Sequence, residues 1–261
     1  WTLGLRQALW GDWRGGLTYA NSRGNNSMVW SFGTLPPGSS FNDRWGGWIS
    51  IPGYGFIMRS FDTRKSWYDG YILTLDKPFG GEGMPWGFNL AFTYADAEQQ
   101  GSVDDGNAFA FDSLPPEFAT FKSISTETHK TIMSGTVGLG AGFTVSGILT
   151  LSSGLPFYYT DCTNGWDKCF NASHEPPKRV FLGLKEFGYR SVDLRAEWQI
   201  GLGGDLRIGL IGEAFNVFDL DNDTSYDGWK GGPGDAANAH FGKPNAQINT
   251  RRYQIGARFS F

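Results

Sequence analysis

The sequence repeats one pattern that is too long for an ordinary soluble strand: strict alternation of apolar and polar residues over about ten positions. In TRRYQIGARFSF, Tyr253, Ile255, Ala257, Phe259 and Phe261 share one parity; Arg252, Gln254, Gly256, Arg258 and Ser260 share the other. In YRSVDLRAEWQIGLG the apolar set is Val192, Leu194, Ala196, Trp198 and Ile200, interleaved with Asp193, Arg195, Glu197 and Gln199. PWGFNLAFTYA does the same through Trp86, Phe88, Leu90, Phe92 and Tyr94. Period 2 is the strand period. Strands of soluble folds usually run about five or six residues, whereas a tilted strand crossing a bilayer needs about nine to eleven.

The pattern predicts strands at about 1–10, 13–22, 66–79, 85–98, 126–139, 142–154, 188–201, 205–218 and 249–261. Their connections alternate in length. Short links fall at Gly11–Asp12, Gly80–Met84, Gly140–Ala141 and Leu202–Gly204; long ones cover about 23–65, 99–125, 155–187 and 219–248. TLPPGSS and DSLPPEF supply loop punctuation in the first two long links. All short links lie at one end of the strand stack and all long ones at the other. A soluble sandwich has no reason to place its length so, but an outer-membrane barrel has short periplasmic turns and long extracellular loops. The last strand then runs from the loop end to the turn end, which makes the C-terminus periplasmic. GFIMRSFDTRK, at 55–65, either continues a neighbouring strand above the membrane or hides a short extra one.

Composition agrees. The chain is 16% aromatic and 18% charged and contains 38 glycines. A membrane barrel combines these, because lipid-facing apolar and lumen-facing polar residues cancel in the mean. A formal net charge of −4 excludes a generic nucleic-acid binder. No apolar run approaches the roughly 18 residues of a spanning helix. The opening WTLGLRQALWGDW has neither the basic start nor the apolar core of a signal peptide. The expectation is of a single domain over 1–261 that enters a barrel midway, its missing strands lying upstream or in another chain.

Four segments, in order, resemble TonB-dependent outer-membrane receptors. RSVDLRAEWQIGLGGDLRIGLIGEAFNVFDLDN is similar to the family's penultimate hairpin, with its D-L-R strand, tight Gly turn and E-x-F-N-x-F exit. FGKPNAQINTRRYQIGARFSF resembles the final loop and last strand, VSGILTLSSGLPFYYT the S-G-x-P-F strand, and KSWYDGYILTLDKPF the Y-x-G strand. The likeness covers about 64–261. It implies an all-β, antiparallel transmembrane β-barrel of the plugged, 22-stranded size, of which this chain is the C-terminal portion. It also implies a plug domain and a TonB-binding box, neither found in this chain. The implied function is energised uptake of a siderophore, glycan, peptide or cobalamin across a Gram-negative outer membrane. Two other classes stand beside it: a smaller complete barrel acting as passive pore or adhesin, and a structural subunit of a multi-chain barrel.

Several residues carry specific expectations. Gln254, Gly256, Phe259 and Phe261 fit the terminal signal read by the barrel-assembly machinery, besides facing lipid. Cys162 and Cys169 are placed to close a small disulfide ring in a non-cytoplasmic loop; free thiols or a metal pair are the alternatives, and His174 nearby has no partner to complete a metal site. Loop aromatics suited to stacking on a substrate are Trp45, Trp48, Tyr54, Tyr158, Tyr159, Trp166 and Trp229, with Trp30, Phe157 and Tyr226 beside them. Such residues also pack loops or form the interfacial girdle, for which Phe157, Tyr158 and Tyr159 lie nearest a strand end. Asp219, Asp221, Asp223 and Asp227 offer alternating oxygens, a partial match to a Ca²⁺ loop. Asp193, Arg195, Glu197, Arg207, Glu213, Arg252 and Arg258 fall on the lumen side by parity and are expected to form a cross-strand charge ladder that contacts the plug. No nucleophile elbow or phosphate loop occurs. The three histidines, His129, His174 and His240, mark no triad, even with Ser123 and Ser125 near the first, so no enzyme is expected. Expected partners are outer-membrane lipid, the assembly machinery, the plug and TonB, and a surface lipoprotein.

Overall fold

The computed structural model describes residues 1–32, 58–100, 109–110, 120–164 and 170–261. Nine strands form one continuous antiparallel meander. They are β1 (Thr2–Ala8), β2 (Arg14–Phe32), β3 (Met58–Gly80), β4 (Trp86–Gln100), β5 (His129–Gly140), β6 (Phe143–Ser152), β7 (Tyr189–Gly203), β8 (Leu206–Phe215) and β9 (Arg252–Ser260). Each pairs with its sequence neighbours, so the nine expected strands are present in the expected order. Two short strands, Phe109–Ala110 and Thr120–Lys122, attach to β2 and β4.

The first long link is shorter than expected, because β2 continues to Phe32 and β3 begins at Met58. Residues 58–65 therefore extend an existing strand rather than forming a new one. The extension passes two register shifts between Gly24 and Val29, with Asn26 at φ 61°. Alternation fades there, where Asn25, Asn26 and Ser27 are all exposed in succession.

The turns at the opposite end are tight for local reasons. Between β5 and β6, Gly140 pairs with Phe143, and Ala141 and Gly142 both take positive φ (48° and 78°). That is the two-residue geometry whose twist matches the flanking strands. Gly142 also packs on β7: a Cβ there would meet the Gln199 carbonyl oxygen at 2.2 Å.

Register assigns every wall residue to a face. Following partners across β7, β8 and β9, Leu194, Ala214 and Tyr253 align, as do Trp198, Leu210 and Ala257, and Ile200, Ile208 and Phe259. The opposite face carries Arg195, Glu213 and Gln254. The apolar face is bare: Leu3, Leu5, Leu17, Leu73, Leu210 and Ile255 are all exposed, Ile255 at 90%. An apolar surface spanning nine strands is intolerable in water and is what lipid requires.

Aromatic residues bound this apolar band at both edges. Near the turns, Trp13 packs edge-on to Trp86 at 5.9 Å, Lys77 lies over the Trp86 ring at 4.3 Å, and Trp198 Nε1 donates to the Ala141 carbonyl at 3.1 Å. Toward the loops, Tyr19 packs on Trp1 and on Tyr71, each at 5.0 Å, and Tyr71 lies opposite Tyr94. One step beyond on the same face come Asn21, Asp69 and Asp96, followed by Arg23. Asp69 accepts from Arg23 and Asn21 at 2.7 Å each and from the Tyr19 hydroxyl. Trp86 and Tyr94 are eight residues apart on β4, about 27 Å along the strand at 3.4 Å per residue. A tilt of about 40° reduces this to a height of about 20 Å, close to the apolar band of membrane barrels.

Two substitutions test the assignment of faces. Leu90→Lys, midway along the apolar side of β4, is expected to destabilise the protein by about 2–4 kcal/mol in bilayers. Ser134→Lys, opposite Asn89 on the polar side, is expected to cost under about 0.5 kcal/mol. Urea unfolding midpoints in lipid vesicles distinguish the two.

Candidate functional site

The side chains of β7, β8 and β9 form a ladder on the polar face. Arg195 donates to Glu213 on β8 at 2.9 Å and to Glu197 on its own strand at 2.7 Å. Arg258 of β9 closes on the same Glu197, which also accepts from Gln199 at 3.2 Å. All seven charges expected on one side fall on it by register. Their roles differ. Asp193 pairs with no cation among the described contacts; its Oδ1 accepts from the Ser191 hydroxyl and from the Asn216 amide, each at 2.8 Å. Arg252 lies over the Phe215 ring at 5.4 Å, and Arg207 lies opposite Ser260.

Gln254 and Gly256 lie on the polar face of β9, and Phe259 on its apolar face beside Ile208. Phe261 follows the strand and is fully exposed. Arg6 of β1 reaches across β2 to Asp76 of β3 at 3.2 Å. Near it, a recess of about 280 Å³ opens in the polar face beside Asp76, Asn89, Ser134 and Thr136.

Among the described residues fully buried side chains are few, and the largest cluster where wall meets loops. Asn216 has φ 47°, a conformation that Asn tolerates. Its side chain donates to the Leu220 and Asn249 carbonyls at 2.9 and 2.7 Å and accepts from the Leu220 amide at 3.0 Å. Asn222, 1% exposed, accepts from the Arg190 amide and donates to the Arg190 carbonyl, each at 2.8 Å. Two buried side chains thereby stand in for a missing stretch of backbone ladder.

The loops after β6 and β8 are joined. Phe157–Asp161 pairs antiparallel with Phe170–His174 and parallel with Trp229–Gly231 of the later loop. The Thr160 amide donates to the Gly228 carbonyl and the Cys162 amide to the Gly231 carbonyl, both at 2.9 Å. Gly228 is required there, since a Cβ would lie 2.2 Å from the Tyr158 carbonyl oxygen. Lys230 binds Asp161 at 2.6 Å. That bond, with the Thr163 hydroxyl and amide, draws the Asp161 carboxyl down to about 2, and the same pairing pushes the Lys230 ammonium up. Arg179 pairs with Asp221 at 3.3 Å and with Asp223, adding a second tie.

Between the joined loops lies a cavity of about 490 Å³. Phe157, Tyr158, Tyr226 and Trp229 give it aromatic walls. Thr160, Thr224, Ser225, Asp227 and Asn245 add hydrogen-bonding groups. Phe157 is held by stacking on Tyr226 at 4.9 Å and His174 at 5.5 Å, and Tyr226 is buried. Tyr158 and Trp229 keep accessible surface. Aromatic faces beside a few polar groups are the chemistry of a small-ligand site.

The expected residues are thus partly brought together. Tyr158 and Trp229 line one cavity. Tyr159 packs elsewhere, edge-on to Phe241 at 5.7 Å. Trp45, Trp48, Tyr54, Trp166 and Cys169 lie outside the described residues. Cys162 is buried and is not a free thiol. Phe157, Tyr158 and Tyr159 belong to the loop sheet rather than to the wall, so the interfacial aromatics of the wall are Tyr19, Tyr71 and Tyr94. The four aspartates diverge. Asp219 pairs with Arg251 at 3.3 Å, Asp221 and Asp223 face Arg179, and Asp227 accepts from the Trp229 amide at 3.0 Å. Among the described residues no three His, Cys, Asp or Glu side chains are grouped to hold a metal. His129 packs edge-on to Phe187 at 6.1 Å.

Comparison with protein-family models finds no match, and comparison with curated proteins finds none. Among solved structures the chain is similar to the outer membrane transporter YddB from Escherichia coli, with a TM-score of 0.58 and 12% identity. The similarity covers 99% of this chain and 31% of that one, so the chain spans about a third of that transporter's length. The fold is that of an outer-membrane β-barrel wall. At this identity the likeness is one of fold.

Two predictions follow from the loop junction. Asn222→Ala strands the buried Arg190 amide and carbonyl, at about 1–3 kcal/mol; the Arg190 amide is expected to exchange with solvent correspondingly faster by hydrogen-exchange mass spectrometry. The Asp161–Lys230 tie favours the joined loops fully above pH 4 and is lost as pH falls toward 2, because the folded carboxyl titrates below its free value. Exchange protection of 157–162, referenced to intrinsic rates, should decline across that window in the parent and less steeply in Lys230→Ala, which keeps the Thr163 bonds.

Proposed function

We propose that the chain forms part of the barrel wall of a TonB-dependent outer-membrane receptor that takes up a siderophore, glycan or peptide. The observation that carries this reading is the cavity of about 490 Å³ that two joined loops hold at the loop end of the wall. In this reading the polar face lines the lumen, the long loops are extracellular and the C-terminus is periplasmic. Tyr158 and Trp229 contact substrate first, and Trp45, Trp48, Tyr54 and Trp166 extend the contact surface. A Cys162–Cys169 disulfide closes the tip of the loop. The Arg195–Glu197–Glu213–Arg258 ladder faces the plug, and the recess beside Asp76 gives the plug a seat near the turns. Further sequence supplies plug and TonB contact, and the assembly machinery reads Gln254, Gly256, Phe259 and Phe261.

Strand parity supports a larger barrel. β1 and β9 each have one partner among the described residues. In a nine-strand meander the first and last strands run the same way. Antiparallel closure therefore takes an odd number of further strands, as an even-numbered barrel of 22 would provide.

The test uses the whole receptor in detergent or vesicles. A ferric siderophore, a maltooligosaccharide and a peptide mixture are titrated by calorimetry. One class is expected to bind, with Tyr158→Ala and Trp229→Ala each weakening it about three- to tenfold, and its uptake by cells should stop when a protonophore is added. Absence of binding, together with steady ion conductance in planar bilayers, would instead identify a passive pore.

A further inference from the structure

Apart from the tie of Arg179 to Asp221 and Asp223, the hairpin between Arg179 and Phe187 lines neither the cavity nor the ladder. Arg179–Phe181 pairs with Leu184–Phe187, and Leu182 and Gly183 form its tip with φ 50° and 81°. Three of its apolar side chains are exposed: Val180 is 58% exposed, Leu182 77% and Leu184 57%. A branched apolar residue at positive φ on an exposed tip is unfavourable twice over in water, by backbone sterics and by hydration.

The hairpin's attachment shows which side of the wall it occupies. Phe187 is buried and packs edge-on to His129, 6.1 Å away. Arg190 Nη1 donates to the Val180 carbonyl at 3.0 Å. His129 lies opposite Tyr94, and Arg190 lies opposite Leu151, which lies opposite Thr131 and then Phe92. Tyr94 and Phe92 belong to the apolar face, so both wall residues that hold the hairpin have apolar-face register. Both also stand at the loop-end limit of the apolar band: β5 starts at His129, and Arg190 is the second residue of β7. The hairpin is therefore rooted on the apolar-face side of the wall, at the upper boundary of the apolar band.

We infer that the hairpin Arg179–Phe187 is a membrane-dipping anchor whose Val180, Leu182 and Leu184 insert among the acyl chains of the outer leaflet. A root on the apolar face, at the edge of the band, selects lipid over a protein partner as the occupant. Exposed Lys185, on the second hairpin strand, adds a cation within reach of lipid phosphates. The anchor would hold the loop after β6, and with it one wall of the cavity, at a fixed height above the bilayer. This rests on the membrane reading of the wall.

Photocrosslinking in native outer membranes tests it. Leu182 is replaced by p-benzoylphenylalanine, with Leu73 on the apolar band and Asp235 in the other loop replaced as references. After illumination, mass spectrometry reads covalent lipid on the purified protein. Lipid adducts at positions 182 and 73, and none at 235, are the expected result. Adducts at 73 but not 182 would overturn the anchor and leave the membrane reading intact. A protein adduct at 182 would overturn it too, by showing a docked partner in place of lipid. Absence of lipid at both positions would sink the membrane reading and the anchor with it.

Discussion

The structure depends on backbone hydrogen bonds that satisfy each inner strand on both sides. Across the nine-strand meander, each inner strand gives its amides and carbonyls to two neighbours. An apolar medium offers no water to replace them, and each lost pair costs several kcal/mol there. Once the ladder is complete, strand alternation can send one face to lipid and the other to a polar interior. The side chains then add little to cohesion of a conventional kind. Among the described residues few large apolar side chains are buried, and none form a conventional hydrophobic core in the wall. Its stability comes from pairing within the sheet and from the bilayer around it.

Where the wall ends, that economy fails, and polar side chains take over. β7 loses its β8 partner beyond Leu194, and the Asn216 and Asn222 side-chain amides, with the Asp193 carboxylate, satisfy the backbone instead. These side chains are more buried than most of the apolar residues in the chain. They fix the exit of β8 and the start of β7 to one another, so the loops leave the wall at set angles. The aromatic cavity inherits its shape from this junction. A buried amide that replaces strand hydrogen bonds is costly to lose and has few substitutes, because donor and acceptor must both be supplied.

Most of the wall was legible in the sequence, because a face meeting lipid and a face meeting polar groups impose period 2 on each strand. The seven charged positions assigned by parity share one face for the same reason, and Arg195, Glu197, Glu213 and Arg258 form the expected cross-strand contacts. Legibility stopped where both faces of a strand meet water. The upper part of β2, through Asn25, Asn26 and Ser27, carries no alternation and reads as loop. The parallel pairing of Phe157–Asp161 with Trp229–Gly231 joins segments about 70 residues apart, and its one local trace is Gly228. Phe157, Tyr158 and Tyr159 suggested an interfacial girdle because aromatic residues near a strand end fit both roles. Nothing in their own neighbourhood announced the partner strand. Asp193 shows the same limit: parity gave its face, but not that its carboxylate caps a backbone amide rather than a cation.

The joining of the two loops changes how anything can reach the space between them. Backbone bonds at Thr160 and Cys162, the Asp161–Lys230 pair and the Arg179 contacts with Asp221 and Asp223 bind segments that leave the wall from different strands. They do not form two independent flaps. A push on one is carried to the other, and through Asn216 and Asn222 to the rims of β7 and β8. Parting the loops sideways would break all of these bonds at once. The two loops therefore meet the barrel rim as one linked unit, on the strands that carry the charged ladder.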